Sequence, residues 1–509
     1  MGIIKLGGRL RQGHRNGVIP MNRSIIMVIL GIYIFILGIQ PSISNESTDA
    51  DILVYSLSTE LNHTLWLYNP QTREKIELAT HSGFSMNQSG IVAYSIQSDE
   101  GKDIYLLDVN HLNNSHINIT SDLPIDVNVV RWSPDGQYLT LYTVWDDGHR
   151  LHVWDGEVFI DVNPQTSQEV KTSFRGWSPD SRYLLFESDN GSIRTLYAWD
   201  SETSTPILLY ETPSIAQTDI PNMPSGYSYG GISSPYHLNW NSDGQYLAIA
   251  LYQAEITEII FIWNGEELIN ITPDNLPLPR IPDYYYTQWS FDGRLAFHLS
   301  WYEHRVDHAN QIYIWDGNDI YNLTQKSHAY YQLGEWNTDN QLVYMMANDL
   351  GSSSYIFIWN GVYFTAMPKL GYFYTAGARW NPENHLVFSA FDGQIYSWDG
   401  QEAINLSQNA PLTNLSPHWG SDGRWASKTF SPSPIIYVRD SDNHTLFEID
   451  GGQDIRWSYN GYLTFCRYVD EGWGLFLWDG EQVIEITRGR EIYGEWLAGM
   501  EQAIVCSSG

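Results

Sequence analysis

The chain has 509 residues, 43% of them hydrophobic and 14% aromatic, with 34 Tyr and 21 Trp, and a net charge of −32. Residues 1–44 carry five Lys or Arg and no acid, so the remainder holds 22 basic against 59 acidic residues, or −37. A surface this acidic repels nucleic-acid phosphates, and no basic patch offsets it, so a nucleic-acid partner is excluded.

The N-terminal segment sets the expected compartment. Lys5, Arg9, Arg11, Arg15 and Arg23 precede an apolar run over residues 25–39. That length fits the core of a signal peptide and is short for a membrane span. Residues 1–44 are therefore expected to be a basic segment plus a signal peptide, or a signal anchor if uncleaved. Only in the uncleaved case does the chain touch the membrane. Residues 45–50 form a polar linker, and everything after them is expected to be exported, periplasmic or extracellular.

From residue 51 onward the chain repeats. A strand-like opening over residues 51–80 is followed by a degenerate unit with Met86 at its marker position. Clear units then begin at Trp132, Trp177, Trp240, Trp289, Trp336, Trp380, Trp419 and Trp457, spaced 45, 63, 49, 47, 44, 39 and 38 residues apart. Each opens on Trp and a turn such as S-P-D-G, runs into an alternating apolar strand, and closes on W-D-G or W-N-G with a short last strand. Pro and Gly in the first turn supply fixed and positive φ, and Asp-Gly or Asn-Gly supplies the second turn. A period near 40–45 residues with several strands per unit predicts an all-β β-propeller of four-stranded antiparallel blades over residues 51–509. A final fragment marked by Trp496 supplies only two strands, so the two termini are expected to share one composite blade. The count is then about ten, as one ring or as two smaller rings.

These residues resemble the TolB-like, or WD-like, periplasmic propeller repeat, whose blades run W-S-P-D-G, apolar strand, I-Y, Asp-rich turn, L-T. The likeness covers roughly residues 51–507. It is tightest at Trp132, Trp177, Trp240 and Trp289 and looser at Trp419, where Arg439 stands in place of the second Trp. The likeness does not extend to the separate N-terminal domain that accompanies the propeller in TolB.

In this topology the two repeated turns of a blade share one end, and the connections of variable length share the other. Those connections are aromatic. They hold Tyr227 and Tyr229, Tyr284, Tyr285 and Tyr286, Tyr330 and Tyr331, Tyr372 and Tyr374, and, between second and third strands, Trp145 and Trp301. Large stiff side chains with polar tips suit a protein, peptide or glycan ligand, so these form the expected binding rim. The marker tryptophans Trp132 to Trp457 are read as structural.

Other constellations carry less. Gly226 to Gly231 spells the nucleophile motif G-x-S-x-G-G, similar to that of the prolyl-oligopeptidase family. It lacks the flanking strand and helix that such an elbow needs. His304 and His308 have helical metal spacing in a loop between strands, so no metal and no cofactor are expected. Sequons at Asn270, Asn322 and Asn405 follow the repeated I-N-[IL]-[ST] or Y-N-L-T strand. Cys466 and Cys506 each lie in an apolar run read as a second strand, and two buried thiols are expected, although export permits a bridge. A binding module or scaffold is the leading reading. The alternative is a hydrolase or lyase with carboxylates at the central channel, where Arg131, Glu335, Arg379, Arg456 and Glu495 would meet.

Overall fold

The computed structural model describes residues 51–58, 63–81, 83–98, 101–112, 116–121, 126–145, 148–164, 171–213, 236–253, 257–273, 287–302, 308–325, 330–347, 354–367, 378–390, 394–407, 417–429, 434–470, 472–497 and 503–507. The expected signal or anchor and the linker lie outside the described residues. The fold is an all-β propeller of ten antiparallel blades, nine of four strands and one of five.

Blade 1 is composite, and its strands run in the order Glu74–Thr80, His63–Asn69, Leu53–Ser58, Glu491–Trp496, Ile504–Cys506. Blade 2 is the degenerate unit, Phe84–Met86, Ile91–Ser98, Gly101–Asp108 and Ile117–Asn118. Blade 3 comprises Asp126–Trp132, Leu139–Trp145, Gly148–Trp154 and Phe159–Asp161, and blade 4 Lys171–Trp177, Tyr183–Asp189, Ile193–Asp200 and Thr205–Pro213. Blade 5 begins at Tyr236–Trp240, blade 6 at Thr287–Trp289, blade 7 at Tyr330–Trp336, blade 8 at Arg379–Trp380, blade 9 at His418–Trp419 and blade 10 at Gln453–Trp457. The marker tryptophan ends the first strand of every clear unit. Two compact units hold these sheets: one contains blades 1–4, and the other contains blades 5–9 with the first strand of blade 10.

Both expected turns are present and strongly bonded. In blade 3 the Ser133 hydroxyl donates to Asp135 Oδ1 (2.6 Å) and accepts from Tyr138 N, while Gln137 N donates to Asp135. The fourth turn residue has positive φ in each clear unit: Gly136, Ser181, Gly244, Gly293, Asn340, Asn384, Gly423 and Gly461 span 58–86°. At the second turn one side-chain oxygen, from Asp155, Asn264, Asp316, Asn360, Asp399 or Asp479, accepts two successive backbone N–H groups. The following glycines hold φ between 92° and 101°, where any side chain would be strained.

The core lies between consecutive sheets of a unit. Leu295, Phe297 and Trp315 of blade 6 pack on Ala248, Ile260 and Ile262 of blade 5, and the same plan repeats at the next seams. Within a blade the opening and closing tryptophans meet edge to face. Trp132–Trp154, Trp177–Trp199, Trp240–Trp263, Trp289–Trp315 and Trp336–Trp359 have centroids 5.9–6.4 Å apart, a geometry favoured by the ring quadrupole. The opening indole then reaches the neighbouring blade. Trp289, Trp336, Trp380 and Trp457 each donate Nε1–H to the carbonyl just before the previous marker, on Asn239, Gln288, Glu335 and His418, at 2.9–3.0 Å.

Two expectations are corrected. The last fragment does not supply the second strand of blade 1: Leu53–Ser58, almost wholly buried, pairs with Glu491–Trp496, and Ile504–Cys506 lies on the other edge as a fifth strand. The apolar LVYSLS sequence outcompetes IVC for the buried slot, and the short segment covers an edge that would otherwise stay open. The two cysteines are not thiols; both are disulfide-bonded and fully buried.

Candidate functional site

The sequon strand is built for folding. Thr272, Thr324 and Ser407 accept the N–H of Ile260, Ile312 and Ile395 on the third strand, and Asn270 and Asn322 accept the N–H of Thr272 and Thr324. In these three blades the N-x-[ST] pattern thus closes the sheet and needs no glycan to account for it.

Of the expected rim, Tyr227, Tyr229, Tyr284, Tyr285, Tyr286, Tyr372 and Tyr374 lie outside the described residues, as do the Gly226–Gly231 motif and His304. Trp145, Trp301 and Tyr330 prove to be strand residues, paired with Gly148, Ala309 and Ala347, so they stand where strands run out into the variable connections. His308 opens the third strand of blade 6 opposite Tyr302. Tyr331 is 3% exposed. It packs with Leu333, Tyr344 and Ile312 in the seam between blades 6 and 7, and its hydroxyl donates to Thr324 O (3.3 Å). Burial raises its pKa.

The residues just before the markers form the chemically distinctive groups. In the first unit, Tyr493 Oη donates to Glu495 Oε1 (2.9 Å) and also bonds Arg131. Burial, ahead of the Glu495 charge, pushes that phenol up to about 12. In the second unit, Asn239 of blade 5 donates to the Thr287 backbone and hydroxyl. Glu335 and Arg379 meet at 3.7 Å. Burial raises the Glu335 carboxyl, and Arg379 opposes that shift. Arg456 holds Asp454 at 2.6 Å and donates to Ile455 O.

His418 stands between these pairs on the first strand of blade 9. Burial, reinforced by the charges of Arg456, Arg379 and Lys428, lowers its pKa to about 4, so the ring is neutral at pH 7. Lys428 was not singled out from sequence. Its signal is the register: His418 pairs with Ala426, so Lys428, two residues on, shares that face of the sheet. Of the five charged residues expected to meet, Glu335 and Arg379 do so directly, while Arg131 and Glu495 share Tyr493. Among the described residues no group of three or more His, Cys, Asp or Glu could hold a metal.

The chain matches no family model and no curated protein. Among solved structures it is similar to TolB from Acinetobacter baumannii, at 16% identity over 57% of this chain and 66% of that chain, with a TM-score of 0.28. It is similar to the β-propeller domain of the trilobed protease from Pyrococcus furiosus, at 15% identity over 65% of this chain and 99% of that one, TM-score 0.27. A third likeness is to Pyrococcus horikoshii acylaminoacyl peptidase, at 13% identity over 76% of this chain and 56% of that one, TM-score 0.28. At such scores the blades themselves, and not the likenesses, carry the fold.

Proposed function

We propose that this chain is an exported, non-catalytic β-propeller that binds a protein, peptide or glycan through the variable connections of its blades. The observation that carries this reading is an asymmetry between the two ends of each blade. At the turn end, Ser, Asp and Asn side chains are consumed by hydrogen bonds to their own turns, leaving little to recognise a ligand. At the opposite end the connections differ in length and are rich in Tyr and Trp, which is where a rigid scaffold carries recognition. Export is supported by the two disulfide-bonded cysteines, since such bonds persist in oxidising compartments, and by the basic-then-apolar order of residues 1–39.

The alternative, a hydrolase or lyase, has one observation in its favour: the raised carboxyl of Glu335. Its neighbour, however, is Arg379, whereas acid–base chemistry of this type calls for a second carboxylate. Glycan and peptide arrays probed with the chain and with a Tyr284/Tyr285/Tyr286→Ala variant test the proposal. Loss of the bound set in the variant is expected, and an unchanged array profile would remove the aromatic rim from consideration.

A further inference from the structure

A second, cationic site is built on the first strands of blades 8, 9 and 10 and the second strand of blade 9, in a chain whose overall charge is −32. It stands independently of the rim. The staple from Trp457 Nε1 to His418 O (2.9 Å) sets the first strand of blade 10 against that of blade 9, which brings Arg456 beside His418. Blades 8 and 9 pack through Val387, Ile395, Trp425 and Trp419, which brings the equivalent residue, Arg379, to the other side. Lys428 shares the His418 face by register. All three cations act on the His418 ring. Glu335 meets Arg379 and Asp454 meets Arg456, whereas Lys428 forms no ion pair with a described residue. The unspent groups are identifiable. Neither His418 nor Lys428 makes a side-chain hydrogen bond with a described residue, and both are only partly exposed. Arg379 is half exposed, at 51%, and its pairing with Glu335 is loose, at 3.7 Å. Each can donate to an oxyanion without giving up a better bond.

We propose that Arg379, His418, Lys428 and Arg456 form a binding site for a single carboxylate group. A monoanion matches the single charge of Lys428. A dianion overshoots it and faces Glu335 and Asp454 at close range. The neutral His418 ring offers its one N–H to the carboxylate as a fourth donor.

The test is an NMR pH titration of the full chain carrying histidine labelled at Cε1, with H418Q identifying the His418 resonance. Acetate is the probe, with chloride at matched ionic strength as control and phosphate as the dianion. Saturating acetate is expected to raise the His418 pKa by about one unit or more, since a nearby anion favours the imidazolium, while chloride moves it less. Lys428→Met is expected to weaken acetate at least ~10-fold, and Lys428→Arg to retain it. Equal responses to acetate and chloride would overturn the proposal, as would phosphate binding more than ~10-fold tighter than acetate or acetate binding unchanged in Lys428→Met. The first two outcomes are read on the unsubstituted chain, with H418Q serving only to assign the His418 resonance.

Discussion

Blades 6 and 9 follow one plan and depart from each other at the residues that matter. In blade 6, Trp289 and Trp315 meet edge to face, and Ser290 closes the first turn by donating to Asp292 and accepting from Arg294 N. In blade 9, Arg439 replaces the closing Trp and Gly420 replaces the turn Ser. Arg439 is 4% exposed and forms no ion pair with a described residue. Its guanidinium lies over Trp425 (5.4 Å) and Tyr437 (5.7 Å) and donates to the carbonyls of Leu406 (2.8 Å) and Ser407 (3.3 Å) of blade 8. One feature survives unchanged: Arg294 covers the next marker, Trp336, at 5.0 Å, and Arg424 covers Trp457 at 5.4 Å. The difference teaches that a blade tolerates a cation in the indole slot when aromatic faces and neighbouring carbonyls receive it.

Exchanging the closing residues is the harshest way to break the comparison. Trp315→Arg should cost about 4 kcal/mol or more, because blade 6 was packed around an indole and offers its slot no evolved set of carbonyl partners. Arg439→Ala should cost about 3 kcal/mol, through a cavity and the loss of its bonds to the Leu406 and Ser407 carbonyls. Arg439→Trp should cost clearly less than Arg439→Ala, since it restores the consensus filling. Urea denaturation followed by tryptophan fluorescence ranks the three. Equal losses for Arg439→Trp and Arg439→Ala would mean that the carbonyl bonds, and not the volume, hold blade 9 to blade 8.

Acid should separate the blades next. The residue before the marker is Gln288 in blade 6 and His418 in blade 9. Since the folded chain lowers the His418 pKa from 6.5 to about 4, the unfolded chain binds more protons between those values. The stability this neutral ring contributes is complete above about pH 6.5 and is lost as pH falls toward 4. Its size should be on the order of 2 kcal/mol after allowance for partial exposure. His418→Gln, which copies blade 6, should flatten that part of the stability–pH curve, and an identical curve in the variant would show that His418 does not titrate in this window.

Much of this was legible in the sequence because the repeat is a statement about turns. S-P-D-G and W-D-G specify φ and side-chain acceptors at fixed positions, and Trp132 to Trp457 mark the ends of first strands where spacing alone located them. The composite blade was legible as an idea, from a fragment too short to stand alone, but not in its strand order. That order depends on which of two apolar pieces buries better, which Leu53–Ser58 wins by length. The disulfide was not legible, because strand assignment put Cys506 in a slot that Leu53–Ser58 fills. Tyr331 looked like a rim residue because it precedes a marker by a few positions, yet the first strand of blade 7 is long enough to draw it into the seam. Lys428 was invisible for the opposite reason: a lone Lys ending a strand means nothing until the register places His418 beside it.

The mildest exchange sharpens the comparison at the first turn. Ser290 is 2% exposed, and its hydroxyl serves both Asp292 Oδ1 (2.5 Å) and Arg294 N (2.7 Å). Ser290→Gly, copying blade 9, should therefore cost about 1–2 kcal/mol. The reverse exchange should also cost, for a different reason. A Cβ at Gly420 would lie 3.2 Å from ring carbons of Trp457 and 3.0 Å from Asp422 Oδ1, so Gly420→Ser should lose about 1–2 kcal/mol to overpacking although it restores the consensus turn. Trp457 is the marker whose Nε1–H holds the His418 carbonyl, so a displaced indole should also loosen the cationic site. The indole N–H of Trp457, followed by hydrogen exchange, is the readout. Faster exchange in Gly420→Ser and unchanged exchange in Ser290→Gly would show that blade 9 gave up its turn serine to seat the tryptophan that positions His418.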